Sequence, residues 1–505
     1  MSKKMGRTTY HTKNTNEQPS VIPVFFATEM WERFGFYMIQ GLLVLYMTSQ
    51  LFGFSDAKSY AILGAFTAIS YMTPIIGGYL ASRILDFEHA ITLGGFLLAI
   101  GYAILSLPHE NLFFIALAII SIGNGFFKPN ISSYLGDFYK TSDASREKGY
   151  TIFYVGINIG VLLSTASSGY LVRYFGWHVP FLIASIGLLI GTVTFVFGIY
   201  YLKTANNFNR INPSIAQKKP LSVTLVYIGT IAAIIASYFV ISNRVIADQL
   251  MLWGGGAIFI GLFIYAAGQQ STVKNKMLAC IFLMLISIVF WAIFFQMFFS
   301  MNLFIDRAVD RHFFSWTLPT PLFISLESIF IILFGTFFAH LWQRLARKNR
   351  NPSIPLKFAL AMFSIFIAFM IAYIGTLSGG DNLCNKLFIV LAYFFVTIGE
   401  LLLSPIGLTM ITILAPKQLV GLMMGVWFVT LGLGVKLAGV IAGFAAIPKD
   451  IHSLATINHI YGHAFSLYAE LSVACGIITL LAVPFLNRLI NTKKTQRSFP
   501  SGLSS

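Results

Sequence analysis

The fold class this sequence predicts is an all-α polytopic membrane protein with fourteen spans, on three observations. Of its 505 residues 57% are hydrophobic and only 10% are charged, where a soluble domain carries roughly 25% charged residues. The chain divides into apolar stretches of roughly 18–30 residues, each long enough as a helix to cross about 30 Å of hydrocarbon. Its basic residues also gather on one side of those stretches. Together these exclude a soluble globule. The 49 phenylalanines are then mostly lipid-facing or packing material. Cys280, Cys384 and Cys475 lie in or beside apolar stretches without paired spacing. That excludes a disulfide framework or metal cluster and reads as inert packing.

In chain order, spans are expected near 22–49, 60–82, 90–107, 111–135, 150–172 and 179–202. A polar linker at 203–219 follows, then a hairpin of spans at 220–241 and 249–268. The last six spans fall near 277–302, 320–343, 358–378, 387–415, 418–447 and 460–486. The first stretch begins some twenty residues in, is too long for a signal-peptide core and carries charges, so no cleavage is expected. Two six-span halves joined by a linker read as a duplicated transporter architecture. The expected organisation is a tail at 1–20, a six-helix bundle at 21–202, linker and hairpin at 203–276, a second six-helix bundle at 277–487, and a tail at 488–505. Asp248 and Arg244, the first acidic and basic residues of the hairpin, both lie in its turn, so the hairpin reads as structural.

A net charge of +16 raises the question of nucleic acid, but the distribution answers it. With fourteen spans the two termini share a side, and that side holds 24 of the 34 Lys and Arg residues. The other side holds seven. This is a topology signal: under the positive-inside rule both termini are cytoplasmic. Arg33, Lys128 and Lys436 remain, and all three fall within spans.

A charge near the bilayer centre costs at least about 2.5–3.5 kcal/mol on insertion scales. Eight residues therefore demand an explanation: Glu29, Glu32, Arg33, Lys128, Glu327, Glu400, Lys436 and Glu470. Glu29, Glu32 and Arg33, in EMWERFGFY, share one helix face that must look into the protein or a water-filled cavity. A local ion pair near a helix end is the simpler account, but it leaves one acid in excess, for which Lys128 is the expected partner. Lys128 stands alone in GNGFFKPN, before Pro129, which removes a backbone hydrogen bond and favours a kink. Such a lysine can take an anionic group of a solute, or a carboxylate when the solute is absent. If the freed carboxylate then binds a proton, solute and proton move together.

Glu400, in GELLLSPIG, lies in the second half and can supply the opposite charge across a central cavity; the alternative is a protonated, hydrogen-bonded structural acid. With Arg33 and Lys128 it suggests a dipolar cavity for a ligand bearing an amine at one end and a carboxylate at the other. Glu327 and Lys436 are expected to form a mutual ion pair, with Glu327 alternatively the proton site. Glu470 is expected to face the bundle as a structural acid.

Several segments together resemble the proton-dependent oligopeptide transporter family of the major facilitator superfamily. They are EMWERFGFY, IGGYLASR, GNGFFKPN, FYVGINIGVLLS, GELLLSPIG and MMGVWF, and the resemblance covers about residues 20–490. It implies a twelve-helix fold with two extra helices, alternating access, and inward symport of di- and tripeptides with protons. It also implies a monomer without a cofactor, in the lipid bilayer of a bacterial inner membrane. Carried over, Glu29, Glu32 and Arg33 serve proton coupling, and Arg33 and Lys128 engage the peptide carboxylate. Tyr37 corresponds to the second of the family's paired tyrosines, Asn158 to a peptide-binding asparagine, Glu400 to the acid that meets the peptide amine, and Trp427 to a pocket aromatic. Gln296 is the glutamine of helix seven.

The sequence departs from the family pattern at that helix. FWAIFFQ places Phe295 where an acid commonly precedes the glutamine. Phe36 and Phe66 stand where tyrosines are usual, Leu431 where Ser is frequent and Ser82 where the helix-two loop has Asp. SLES replaces SLNP, so Glu327 takes the asparagine position. Fewer hydroxyls mean fewer donors and altered selectivity. The expectation is that Glu327 substitutes for the missing acid, with Lys436 as its counter-ion.

Other functions compete. A family member could carry another zwitterionic or anionic solute, with altered proton coupling because of Phe295. A non-transporting scaffold would have no need of Glu29, Arg33, Lys128 and Glu400 together. An enzyme is not expected: there is no Gly-rich phosphate loop, metal-ligand run or nucleophile–base arrangement, and the histidines sit in the tail or at span ends. Tyr71 and Trp291 are further candidates for lining the cavity.

Overall fold

The computed structural model describes residues 19–139, 144–205 and 220–490. Most of the 203–219 linker and of both terminal tails therefore lies outside the described residues. The first half comprises α1 (Ile22–Thr48), α2 (Asp56–Leu80), α3 (Phe87–Leu105), α4 (Glu110–Gly136), α5 (Ala144–Phe175) and α6 (His178–Thr204). The hairpin is α7 (Pro220–Ser242) and α8 (Arg244–Ala267). The second half comprises α9 (Ser271–Phe294), the short α10 (Ser300–Ala308), α11 (Ser325–Arg347), α12 (Ile354–Gly379), α13 (Lys386–Leu414), α14 (Val420–Ile441) and α15 (Leu454–Ile490). Among the described residues, thirteen helical segments are long and apolar enough to cross a membrane. The fourteenth is α1, of similar length at 27 residues, with Glu29, Glu32 and Arg33 in it.

Each half packs on itself. In the first, α1 lies against α5 and α6, and α4 against α2 and α3; in the second, α12 joins α13 and α15. Glycines set how α1 sits. Gly156 and Gly160 of α5 are four residues apart, and a Cβ on Gly160 would come within 2.3 Å of the Met30 carbonyl oxygen. This close backbone approach is the usual role of small residues at helix interfaces in lipid, where no hydrophobic force drives helices together. It turns the charged face of α1 away from lipid, leaving Glu29, Glu32 and Arg33 buried.

The span near 277–302 is not one continuous helix. After Phe294 it tightens to a 3-10 turn at Phe295–Met297 and restarts as α10. Gln296 secures the break: its amide donates to the carbonyls of Ala292 and Ala438, both at 3.0 Å, and accepts from Ser300 at 2.7 Å.

One end of the molecule is sealed by polar contacts between the halves. Arg307 grips Asp56 with two hydrogen bonds of 2.6 and 2.8 Å, and the Ile447 N–H donates to Asp56 at 3.0 Å. Lys449 donates to the Gly53 carbonyl at 2.6 Å, Asn302 to that of Gly41 at 2.9 Å, and the hydroxyls of Thr165 and Ser325 meet at 2.7 Å. This is the end opposite the chain termini. Toward the other end, Tyr154 of α5 is 50% exposed and lies within electrostatic reach of Glu400 and Glu327.

Candidate functional site

The charges of α1 are arranged around one guanidinium. Arg33 forms a bidentate pair with Glu32, one arm of which, Nη2 to Oε1, measures 2.6 Å, and its Nε lies 3.3 Å from Glu29 Oε1. Two acids share one arginine, and Glu29 Oε2 keeps no hydrogen-bond partner. The expected pairing of the excess acid with Lys128 is not formed. Lys128 instead places its ammonium 4.6 Å from the centre of the Tyr71 ring and 5.4 Å from that of Phe36. The Arg33 guanidinium carbon is 5.0 Å from the same Phe36 ring. Phe36 is thus a spacer between two like charges, holding each through its π face, an attraction worth about 0.5–2 kcal/mol per contact. A tyrosine at 36 would not be needed for this.

In the second half Glu327, in the first turn of α11, meets Glu400 of α13. Their carboxyl groups form a side-chain hydrogen bond with each other. Such a bond requires a proton on one of them, because two carboxylates at contact distance without a cation repel. The remaining oxygen of each, Oε2, is buried without a partner. Neither acid pairs with a Lys or Arg among the described residues. The expected Glu327–Lys436 ion pair is therefore replaced: Lys436 Nζ lies 2.7 Å from Asp248 Oδ1, and Arg244 Nε approaches Asp248 Oδ2 at 3.4 Å. Helix rotation explains the difference. Lys436 lies on the face of α14 that meets α8, and the second turn of α8 carries Asp248. The hairpin so supplies the counter-ion for a buried lysine of the second half.

Tyr37 lies between the two charged groups, within electrostatic reach of Arg33 on one side and of Glu327 and Glu400 on the other. Tyr71 spans the same gap, so two tyrosines bridge the cationic and acidic clusters. Asn158 of α5 is held by its own helix, Nδ2 donating to the Tyr154 carbonyl at 2.8 Å, and Tyr154 in turn looks toward Glu327 and Glu400. Trp427 is buried against α13 where Gly407 leaves room; a Cβ there would meet its ring at 2.1 Å. Phe295, in place of the missing acid, packs on Tyr71 with ring centres 5.9 Å apart. Trp291 packs behind it with ring centres 6.1 Å apart, the rings tilted at 48°, and is itself buried.

Two expectations are corrected. Gln296 is fully buried and spends its donors on the Ala292 carbonyl of its own helix and the Ala438 carbonyl of α14, so its polar groups are taken up within the second half. Glu470 does not face the bundle: it is exposed on α15 and accepts a hydrogen bond from Ser466 at 3.2 Å. The sequence reading missed the Asp56–Arg307 clamp, since both residues sit at span ends where charge is the norm. It missed Tyr154 because a tyrosine near a helix end carries no distinguishing signal.

A profile of the POT family matches residues 88–459. Dipeptide and tripeptide permease B of Salmonella typhimurium is similar to this chain, 32% identical over 487 residues that cover 95% of the chain and 98% of the permease. Dipeptide and tripeptide permease A of Erwinia pyrifoliae is 30% identical over 488 residues, covering 94% and 96%. Among solved structures, a bacterial homologue of the human drug peptide transporters PepT1 and PepT2 superposes with a TM-score of 0.79 at 27% identity, over 93% of this chain and 99% of its own. A peptide transporter POT in complex with sulfate gives 0.82 at 28%, over 95% and 97%.

Proposed function

The chain belongs to the POT family, the proton-dependent oligopeptide transporters, and we propose that it imports di- and tripeptides together with protons by alternating access. It is an integral membrane transporter of the major facilitator fold and not an enzyme. One observation supports this reading: the cations Arg33 and Lys128 of the first half and the acids Glu327 and Glu400 of the second lie on either side of Tyr37 and Tyr71. A zwitterionic peptide lying across them puts its carboxylate toward the cations and its amine toward the acids. Each end then exchanges water for a charge-assisted hydrogen bond. Asn158, beside Tyr154, and Trp427, carried over from the family resemblance, complete the proposed binding set, from which Gln296 is omitted.

Proton coupling uses the same charges. Arg33 is shared by Glu29 and Glu32 while Lys128 has only aromatic rings beneath it. An arriving carboxylate draws on Lys128 and Arg33, and the acid that loses its share of Arg33 takes a proton. In the second half, the proton held between Glu327 and Glu400 is the counterpart of the acid absent at Phe295. An amine bound there competes with that proton. The seal at Asp56–Arg307 and the exposed Tyr154 correspond to a chamber open toward the termini. With the basic residues on that side, we read it as inward-facing, both termini cytoplasmic, in a bacterial inner membrane. One chain holds the whole charge set, so the transporting unit is the monomer. The division between the bundles and the linker with its hairpin then falls after α6, which runs to Thr204, and before α9, which starts at Ser271, a few residues from the expected 202/203 and 276/277.

Counterflow of labelled dialanine in proteoliposomes tests the assignment. Exchange is expected for di- and tripeptides but not for free alanine, and accumulation is expected only under an inward proton gradient. Absence of exchange with every di- and tripeptide would remove peptides as the substrate.

A further inference from the structure

The acidic end of the chamber holds one carboxyl more than a single peptide amine requires. Glu327 is 5% exposed, its Oε2 has no hydrogen-bond partner, and the same is true of Glu400 Oε2. The two carboxyls touch each other and no Lys or Arg among the described residues pairs with either. Among the described residues, the titratable groups in electrostatic reach of the pair are Tyr37 from α1, Tyr71 from α2, Tyr154 from α5 and Tyr393 of α13 itself, none of them cationic. Arg33 of α1 is committed to Glu32 and Glu29. Lys436 of α14 is engaged by Asp248, and the Lys357 ammonium of α12 sits 4.2 Å from the Trp342 ring centre.

We propose that the Glu327–Glu400 pair is a two-cation site that favours peptides whose first residue carries a basic side chain. The inference rests on the peptide-transport reading above and names the substrate class of that same chamber. With one proton between them the two carboxyls carry a single negative charge, which an N-terminal ammonium neutralises. A second cation a few ångströms away, on the side chain of an N-terminal lysine or arginine, pairs with the second carboxylate. The shared proton then leaves to water through the open end. The orphaned oxygens become acceptors of charge-assisted hydrogen bonds, each stronger than a neutral one. The same positive charge on a C-terminal residue would lie at the other end, beside Lys128 and Arg33, where it is repelled.

The test uses two isomers of equal composition and net charge, Lys-Ala and Ala-Lys, as competitors of labelled dialanine uptake into proteoliposomes. Lys-Ala is expected to inhibit at a concentration roughly tenfold or more below that of Ala-Lys, and in Glu327→Gln the ratio is expected to fall to about one. Equal inhibition by the isomers in the native protein overturns the proposal while leaving peptide transport intact, and so does an unchanged ratio in Glu327→Gln. Failure of dialanine uptake in the native protein is instead the failure of the transport reading. If the variant does not fold, the native protein still decides. Binding of Lys-Ala, followed with a pH indicator in weak buffer, should release about one proton more per site than binding of Ala-Lys; equal release contradicts the proposal.

Discussion

Lys436 and Asp248 lie 2.7 Å apart and join the inserted hairpin to the second half of the transporter. Lys436 is buried at 4% exposure, so an acid on α8 of the hairpin is what makes a lysine on α14 tolerable. Removing the acid with Asp248→Ala should lower the thermal unfolding temperature in detergent, by a destabilisation of up to roughly 3–5 kcal/mol, the cost of leaving a buried charge unpaired. The double variant Asp248→Asn with Lys436→Met should recover most of it. Additive loss in the double variant would show that the pair is not the link.

Arg33 holds two acids at once. Arg33→Leu leaves Glu29 and Glu32 without a cation and should reduce dialanine uptake at least tenfold, roughly the effect of losing one buried charged partner. Arg33→Lys should rescue little, because a point charge cannot reproduce the bidentate grip on Glu32 while reaching Glu29. Full activity of the lysine variant would contradict the shared-guanidinium account.

Lys128, cradled by Tyr71 and Phe36 rather than by a carboxylate, is free to receive an anion. Native protein should discriminate strongly between dialanine and its C-terminal amide, and Lys128→Met should abolish most of that discrimination. Loss of a desolvated charged partner costs about 2–5 kcal/mol, so the native preference should exceed roughly tenfold. A preference unchanged in the variant would move the carboxylate site elsewhere.

Asp56 and Arg307 close the end opposite the termini. Asp56→Asn removes the carboxylate that Arg307 and the Ile447 N–H both use, so it should shift the population toward states open at that end. Distances between spin labels on α2 and α10, measured at their sealed ends, should lengthen or broaden. Exchanging the charges, Asp56→Arg with Arg307→Asp, should partly restore the seal. Unchanged distance distributions in Asp56→Asn would show that apolar packing alone closes this end.

Glu327 is the acid gained where another was lost. In Glu327→Gln the dependence of dialanine uptake on external pH should flatten, since the proton shared with Glu400 no longer has a second carboxyl to bridge. An unaltered pH profile would take Glu327 out of the coupling path.

The spans were legible because hydrocarbon thickness and a rise of about 1.5 Å per residue leave little freedom in where a helix of Leu, Ile and Phe begins and ends. The intramembrane charges were legible for the same reason: Glu29, Arg33, Lys128 and Glu400 are costly in lipid and few in number. Their partners were not. Pairing depends on how each helix is rotated and which neighbour it meets, and no spacing within a single helix reports that. Lys436 was therefore matched to Glu327 rather than to Asp248, Lys128 to an α1 acid rather than to two rings, and Glu470 was expected inside although it lies on the outer face of α15. The Glu327–Glu400 contact was hidden in the same way, since it joins two helices whose relative depth only the packed structure fixes.

The central claim is that one chamber of opposed charges binds a peptide and a proton on the same cycle. Its most direct test is proton flux driven by peptide: proteoliposomes loaded with a pH-sensitive dye, with no imposed gradient, given external dialanine. Acidification of the lumen in step with dialanine entry, absent in Glu29→Gln and in Arg33→Leu, is the predicted result. Dialanine entry with no change in lumenal pH would contradict the account.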